Sequence, residues 1–196
     1  METMRTRRIR IATPEDADAI AAIYAPYVRD TAISFEWGPP SVEEMRGRIR
    51  QTLERFPWLV AVDDDRLVGY AYATGYRSRA AYQWSAEVSV YVGREAHRRG
   101  AGGMLYDTLI ALLALQGYRT LYGVIALPNE ASVSFHERKG FVRIGTFPAA
   151  GFKHGAWHDV LWMRRGIEQA DAAPAPPTPL PALDPAVVEG LLGRSV

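Results

Sequence analysis

A glycine-rich loop, His97-Arg98-Arg99-Gly100-Ala101-Gly102-Gly103, lies between a strand pattern and a helix pattern. The strand pattern alternates from Glu87 to Val92, and the helix pattern starts near Gly102 with four leucines on one face: Leu105, Leu109, Leu112 and Leu113. Glycines at a helix N-terminus leave backbone N–H groups uncovered, and the positive end of the helix dipole favours anions. The pattern therefore predicts a mixed α/β domain with a phosphate-binding turn, for which pyrophosphate is the best candidate ligand.

Two familiar phosphate-binding motifs do not fit this loop. A dinucleotide fingerprint that starts at Gly100 requires its third glycine where the chain has Leu105. A P-loop requires a Gly-Lys-Ser/Thr run, which the sequence lacks. On the loop residues alone, an ordinary turn with solvated arginines stays an alternative.

Length, composition and charge limit the classes of protein. The chain of 196 residues is 48% hydrophobic, which is enough for one globular domain with a sizeable core. Its net charge of +1 makes no general case for binding nucleic acid or a membrane surface. No apolar run reaches the roughly 18 residues of a membrane span, and the early arginines are not followed by the apolar stretch of a signal peptide. We therefore expect a cytoplasmic protein that binds neither nucleic acid nor membrane.

The sequence contains no cysteine. Disulfides, thiolate zinc sites and cysteine nucleophiles are therefore excluded. If the protein transfers an acyl group, direct attack of the acceptor on a bound thioester is the simplest route. His154 and His158 lie close in sequence, but no carboxylate or cysteine set completes a metal site with them, so we expect no metal.

Periodicity and turn signals predict the order strand–helix–helix–strand–strand–strand–helix–strand–helix–strand–strand. Thr13 and Ser41 are predicted N-caps of the first two helices, and Gly117 is predicted to end the third. The composition changes at Glu168, after which alanine and proline become frequent. We expect one domain over residues 1–167 and an extended or disordered tail over residues 168–196.

The glycine loop resembles the coenzyme A loop of the GNAT N-acetyltransferases, Gln/Arg-x-x-Gly-x-Gly/Ala, with His97 in place of the usual first residue. The segment from Asn129 to Phe141 is similar to the Asn-…-Tyr-x-x-x-Gly-Phe segment of the same superfamily, with His136 in place of the tyrosine. The order of elements is similar too. The resemblance implies the GNAT fold, an α/β fold whose central, mostly antiparallel sheet is splayed between its fourth and fifth strands.

Three longer blocks, at residues 54–61, 124–129 and 149–160, resemble the phosphinothricin N-acetyltransferases of the bialaphos-resistance type. The resemblance implies an acetyl-CoA-dependent N-acetyltransferase. Acetyl-CoA is then the co-substrate, and the acceptor is the α-amine of phosphinothricin or a related glutamate or methionine analogue. The alternatives are a GNAT enzyme for methionine sulfone, methionine sulfoximine or another amine, and a non-catalytic acetyl-CoA-binding module.

Glu87 is the candidate general base. An amine attacks a thioester only in its free form, so a base must accept its proton, directly or through water. Glu87 lies on the strand before the glycine loop, on one face with Ser89 and Tyr91, and the resemblance implies a catalytic glutamate there. His136 is the second candidate, as a proton acceptor or as an acid for the leaving thiolate. The structural alternatives are a surface carboxylate and a hydrogen-bonded helix histidine.

The resemblance also implies the binding residues. For the coenzyme they lie on the strand, the glycine loop and the fourth predicted helix: Val90, Tyr91, Val92, Arg98, Arg99, Gly100, Ala101, Gly102, Gly103, Asn129 and Ser132. For the acceptor they are Ser34, Phe35, Arg77, Arg79, Tyr82 and Ser89, and the two arginines suit an anionic amino acid. In the family, the residue matching Tyr82 approaches the site across a dimer interface, which implies a homodimer.

Overall fold

The computed structural model describes residues 7–167 and 174–193. Their strands form one mixed sheet in the order β1-β2-β3-β4-β5-β7-β6, where every neighbouring pair is antiparallel except β4 and β5. The strands are β1 (Arg7–Ile11), β2 (Trp58–Asp63), β3 (Arg66–Gly75), β4 (Ser85–Val92), β5 (Thr120–Ala126), β6 (Val142–Lys153) and β7 (Ala156–Gly166). The mixed α/β class is thus confirmed.

The helices of the described residues are α1 (Ala17–Asp30), α2 (Val42–Leu53), α3 (Ala101–Gln116), α4 (Glu130–Arg138) and α5 (Pro185–Leu192). Local sequence explains where they begin and end. Ser41 forms a capping box with Glu44 at the start of α2, and the Asn129 side chain accepts from the Ser132 N–H at the start of α4. Gly117, at φ 94°, ends α3. Thr13 instead precedes a short 3-10 turn (Pro14–Asp16) that leads into α1.

Each face of the sheet carries its own core. On one face, α1 and α2 bury Ile20 and Ile49 against Trp58 and Tyr70 of the sheet. On the other face, α3 buries its leucines, with Leu105 and others fully inaccessible, against Leu59, Ala71 and Val88. Because side chains alternate along a strand, the face of β4 that carries Glu87 is opposite to the face that packs on α3.

The sheet opens between β4 and β5. The two strands pair in parallel only where Ser85–Glu87 faces Thr120–Tyr122. Beyond that point β5 follows β7 as far as Ala126, whereas β4 follows β3 as far as Val92. The expected splay between the fourth and fifth strands is therefore confirmed, and it leaves one backbone edge of β4 open beside the glycine loop.

The C-terminal tail departs in part from our expectation of an extended or disordered segment. Asp184 caps α5 by accepting from the Ala186 N–H at 2.9 Å, and Pro185 occupies the first helical position. Val188 is buried in the same core as α3. Composition alone misses this helix because the proline-rich run stops at Pro185, where proline favours a helix start. Residues 168–173 and 194–196 lie outside the described part of the chain.

Helices in residues 7–167 and 174–193 all lack the combined length and apolar character needed to span a bilayer.

Candidate active site

The glycine loop is folded tightly onto β4. Gly100 has φ 85°, a conformation that glycine adopts without strain. A Cβ at Gly102 would lie only 3.3 Å from the Val92 side chain. Glycine therefore fits this position more easily than a residue with a side chain. Arg7 anchors the loop from β1, because its guanidinium donates to the Arg99 carbonyl and pairs with Asp63 at 2.6 Å.

The loop presents an anion-binding helix end. The N–H groups of Ala101, Gly102 and Gly103 open α3 and have no carbonyl one turn earlier in the helix to accept from them. Arg98 and Arg99 are exposed beside them. Donors and positive charge therefore meet at one place, which suits a phosphate or pyrophosphate group.

The open edge of β4 leads from this loop to the centre of the sheet. Val90 and Val92 pack partly against the core on the α3 side, and Tyr91 lies among aromatic rings on the other side, 5.0 Å from the Tyr24 ring. The Val92 carbonyl already accepts from the Tyr27 hydroxyl at 2.6 Å. The remaining backbone groups of the open edge are arranged like those of a strand that lacks a neighbour, and such an edge pairs with extended amides.

Glu87 lies where β4 and β5 begin to separate. Thr74 of β3 and Tyr122 of β5 are its neighbours across the sheet. The side chain is half-buried, and its carboxylate makes no hydrogen bond or ion pair with any other part of the described chain. Burial raises the pKa of Glu87, and the positive charge of Arg77 lowers it. An unpaired carboxylate with a raised pKa is suited to accept a proton.

The predicted acceptor wall is formed by the loop after α1. Ser34 is buried, and its hydroxyl lies 2.7 Å from the Tyr24 hydroxyl. The Phe35 ring covers Gly151 of β6 so closely that a Cβ at Gly151 would lie 2.3 Å from a ring carbon. Its other neighbour is the His158 ring, with the centroids 6.2 Å apart. Contacts from β6 and β7 thus define where Phe35 lies.

The basic pair of the sequence prediction lies in the connection before β4. Arg77 and Arg79 are exposed, and neither forms a salt bridge within the described residues. The Arg77 guanidinium stacks over the Tyr76 ring at 5.2 Å, and Tyr82 meets the same ring edge-on. Both charges are therefore available to an anionic ligand. Ser89, two residues after Glu87 on the same face, is paired in the sheet with Tyr72.

His136 lies apart from Glu87, on the α3 side of the sheet. It is buried, its Nδ1 lies 2.8 Å from the Ser132 carbonyl, and its Nε2 lies 2.8 Å from the Tyr106 hydroxyl. Nδ1–H therefore donates to the carbonyl, and Nε2 accepts from the tyrosine. Burial lowers the pKa of His136, which favours this neutral ring. The structure does not bring the two candidate catalytic side chains together.

Several residues around the site are not predicted from local sequence patterns. Tyr106, the hydrogen-bond partner of His136, reads in the sequence as one more apolar position of α3. Gly123 of β5 provides the space for the imidazole, since a Cβ there would lie 2.7 Å from it. An isolated glycine in a strand pattern is a usable signal of such close approach. Lys153, which is buried, has no comparable signal in the sequence.

No group of three or more His, Asp or Glu side chains within the described ranges is arranged to hold a metal ion.

Comparisons with known proteins agree with this geometry. Residues 9–162 match the family model of the acetyltransferase (GNAT) domain. A phosphinothricin N-acetyltransferase from Streptomyces viridochromogenes is 38% identical over 90% of this chain and 94% of its own length. One from Alcaligenes faecalis is 41% identical over 83% of this chain and 84% of its own.

A solved structure is similar to this chain as well. The GNAT superfamily phosphinothricin acetyltransferase from Sinorhizobium meliloti, in complex with AcCoA, superposes with a TM-score of 0.81. It is 32% identical and the match covers 92% of this chain and 96% of that one. The chain therefore belongs to the GNAT acetyltransferases and, within them, to the family of the phosphinothricin N-acetyltransferases.

Proposed function

We propose that this acetyl-CoA-dependent N-acetyltransferase acetylates the α-amine of phosphinothricin or a related glutamate or methionine analogue, by direct attack in a ternary complex. The observation that carries the proposal is the position of Glu87, half-buried and unpaired where β4 and β5 part. A relative from Pseudomonas paraeruginosa named for L-methionine sulfoximine and L-methionine sulfone, 31% identical over 85% of this chain, supports the wider acceptor class.

In this proposal the coenzyme is bound along β4 and at the start of α3. The pyrophosphate meets the N–H groups of residues 100–103 and the charges of Arg98 and Arg99. The pantetheine arm extends along the open edge at Val90, Tyr91 and Val92 and is also contacted by Asn129 and Ser132. The Asn129 side-chain oxygen already caps α4 at 3.2 Å, so its amide N–H₂ is the group left for the arm.

The acceptor is bound on the opposite face, the face that carries Glu87. Arg77 and Arg79 supply two unpaired positive charges, which match the two acidic groups of phosphinothricin. Ser34 and Phe35 form the side wall, and Ser89 continues the floor next to Glu87. Tyr82, at the exposed end of the same connection, is the residue we place at the interface between two protomers.

The chemistry then proceeds through the opening in the sheet. The acceptor ammonium loses its proton to Glu87, directly or through one water, and the free amine nitrogen attacks the thioester carbonyl carbon. Backbone N–H groups of the β4 edge stabilise the negative charge that develops on the carbonyl oxygen. The carbon–sulfur bond breaks, the nitrogen loses its second proton as the amide forms, and the departing thiolate of coenzyme A takes up that proton.

His136 has a weaker claim to a proton-transfer step. Its Nε2 is occupied by the Tyr106 hydroxyl, and burial opposes the protonated ring that an acid requires. We keep it as the second catalytic candidate, with a smaller expected effect than Glu87.

We propose a cytoplasmic homodimer with the catalytic domain in residues 1–167. Three apolar side chains of β6 are each more than half exposed: Val142, Ile144 and Phe147. Such an exposed apolar surface supports an interface between protomers on β6. Light scattering in solution is expected to give the mass of two chains, and a monomer at working concentrations would contradict the dimer.

A thiol-release assay tests the function. With acetyl-CoA and a panel of phosphinothricin, methionine sulfoximine, methionine sulfone and unmodified amino acids, we expect turnover with the first three and little with the others. Turnover only with an unrelated amine would replace the acceptor assignment. Acetyl-CoA binding without turnover of any amine would instead indicate a non-catalytic module.

A further inference from the structure

Lys153 is a buried cation at the end of the β6 strand. Only 3% of it is exposed, and its Nζ donates to the carbonyls of Val28 and Ser34, both at 2.6 Å. Each partner is more than a hundred residues away along the chain. None of the steps proposed above uses this ammonium group, so its position calls for a separate explanation.

The Val28 carbonyl explains why a cation is stable there. It is among the last four carbonyls of α1, which lack a partner inside the helix. The negative end of the helix dipole favours a positive charge at this place. Glu36 lies near enough to stabilise the ammonium as well, which opposes the burial that lowers the pKa of Lys153. The charge is therefore compensated by the end of α1 and by the loop that follows it.

The same hairpin end touches that loop a second time, through Gly151 and Phe35. The turn between β6 and β7 is His154-Gly155, with φ values of 49° and 75°, which is the compact geometry of a two-residue hairpin turn. Because a Cβ at Gly151 would meet the Phe35 ring at 2.3 to 2.7 Å, the ring lies directly on the β6 backbone. A hydrogen-bonded cation and a close packing contact thus hold Ser34 and Phe35 from one side.

We infer that Lys153 is a positioning residue that holds the Ser34–Phe35 loop against the β6–β7 hairpin and thereby shapes the acceptor side of the active site. The part that concerns the acceptor rests on the proposed function. The part that concerns the loop does not, because it follows from the two carbonyl contacts. Loss of Lys153 leaves two carbonyls without their donor and frees the loop to move.

The loop part is tested by hydrogen–deuterium exchange in Lys153→Met, which keeps a side chain of similar length but removes the donor. The amides of Ile33 and Glu36 are hydrogen-bonded within the loop. We expect these amides to exchange about tenfold faster, with α3 and β4 unchanged, since losing a charged hydrogen bond loosens its surroundings locally. Arg143→Met is the matched control, because it removes an exposed cation from the other end of β6. Equal exchange in the two variants overturns the inference.

The acceptor part is tested by kinetics with phosphinothricin. Lys153→Met is expected to raise the KM for phosphinothricin about tenfold while the KM for acetyl-CoA stays within about twofold, since the coenzyme loop is on another element. A purely structural role would lower thermal stability and leave the two KM values in their original ratio, which overturns the inference. If the wild-type protein acetylates none of the amines, the proposed function fails, while the exchange experiment still decides the role of Lys153.

Gly151→Ala is the second variant, for the case that Lys153→Met does not fold. It keeps the lysine and displaces Phe35 by the added methyl group. We expect the same selective rise in the phosphinothricin KM, with acetyl-CoA binding unchanged by calorimetry. A well-folded Gly151→Ala with unchanged acceptor kinetics counts against a loop that is held by the hairpin.

Discussion

At the scale of single residues, burial and the positive charge of Arg77 together set the pH range in which the carboxylate of Glu87 is available as a base. Burial raises the pKa of this carboxyl, and Arg77 is the cation that opposes the rise. A base works in its ionised form, so activity is present above the pKa and is lost as the pH falls through it. The acid side of the pH–activity curve therefore reports on the pKa of Glu87, which burial raises and the positive charge of Arg77 lowers.

Arg77→Ala is expected to move the acid limb of the kcat/KM profile to higher pH. The substitution removes the charge that lowers the pKa of Glu87, so the base becomes protonated at a higher pH. Arg79→Ala is the control: we expect it to weaken acceptor binding but to leave the position of the acid limb unchanged. An acid limb at the wild-type position in Arg77→Ala would show that Glu87 does not control it.

At the scale of elements, β5, α3 and α4 are joined through one histidine. His136 of α4 accepts from Tyr106 of α3 and lies directly on Gly123 of β5. The Tyr106 hydroxyl is fully buried, so removal of the imidazole leaves a donor without a partner, at a cost of about 1–3 kcal/mol. The His136 ring occupies the space that a side chain at position 123 would need, so the packing requires both the glycine and the imidazole.

The prediction at this scale is a strong coupling between the two positions. Gly123→Ala alone is expected to destabilise the fold by about 2 kcal/mol, because its methyl group would lie 2.7 Å from the imidazole. In a His136→Ala background the same methyl group has room, so its cost largely disappears. Urea denaturation of the four proteins measures the coupling. Additive effects would mean that the imidazole and Gly123 do not compete for the same space.

Local patterns account for much of the fold and for part of the site. The alternation of Glu87 to Val92, the glycine loop and the leucine face of α3 predict neighbouring elements correctly because each depends on residues close in sequence. The Tyr106 contact of His136 and the carbonyl contacts of Lys153 join residues 30 to 125 positions apart, and no local period encodes them. Helix α5 is not predicted for a related reason, because Val188 is buried by residues that are distant in sequence.

At the scale of the whole molecule, the two faces of the splayed sheet carry the two proposed binding sites. Helices α3 and α4 lie on the face where we propose that the coenzyme binds, and α1 and α2 pack on the face that carries Glu87, where we propose that the acceptor binds. Residues of the tail form hydrogen bonds with the domain. Gln116 of α3 donates to the Thr178 carbonyl at 2.8 Å, and the Trp84 indole donates to the Ala175 carbonyl at 2.8 Å, just before β4 begins. Residues 174–193 of the tail thus pack on the domain that they follow.

Two neighbouring valines of α5 test this role of the tail. Val188 is 7% exposed and Val187 is 45% exposed. Val188→Asp is expected to destabilise the protein by about 2–3 kcal/mol, because a carboxylate would replace a buried apolar group. Val187→Asp is expected to stay within about 0.5 kcal/mol of the wild type. Thermal denaturation compares them, and equal stability of the two variants would mean that α5 does not dock in solution.

A pH–rate profile of Glu87→Gln tests most directly whether Glu87 accepts the amine proton where the sheet opens. With saturating acetyl-CoA and phosphinothricin, we expect kcat at neutral pH to fall by a factor on the order of 10²–10⁴. The defect should shrink as the pH rises toward the pKa of the acceptor amine, because the substrate then arrives already deprotonated. Near-normal turnover of Glu87→Gln at neutral pH, or a defect that does not depend on pH, would contradict the account.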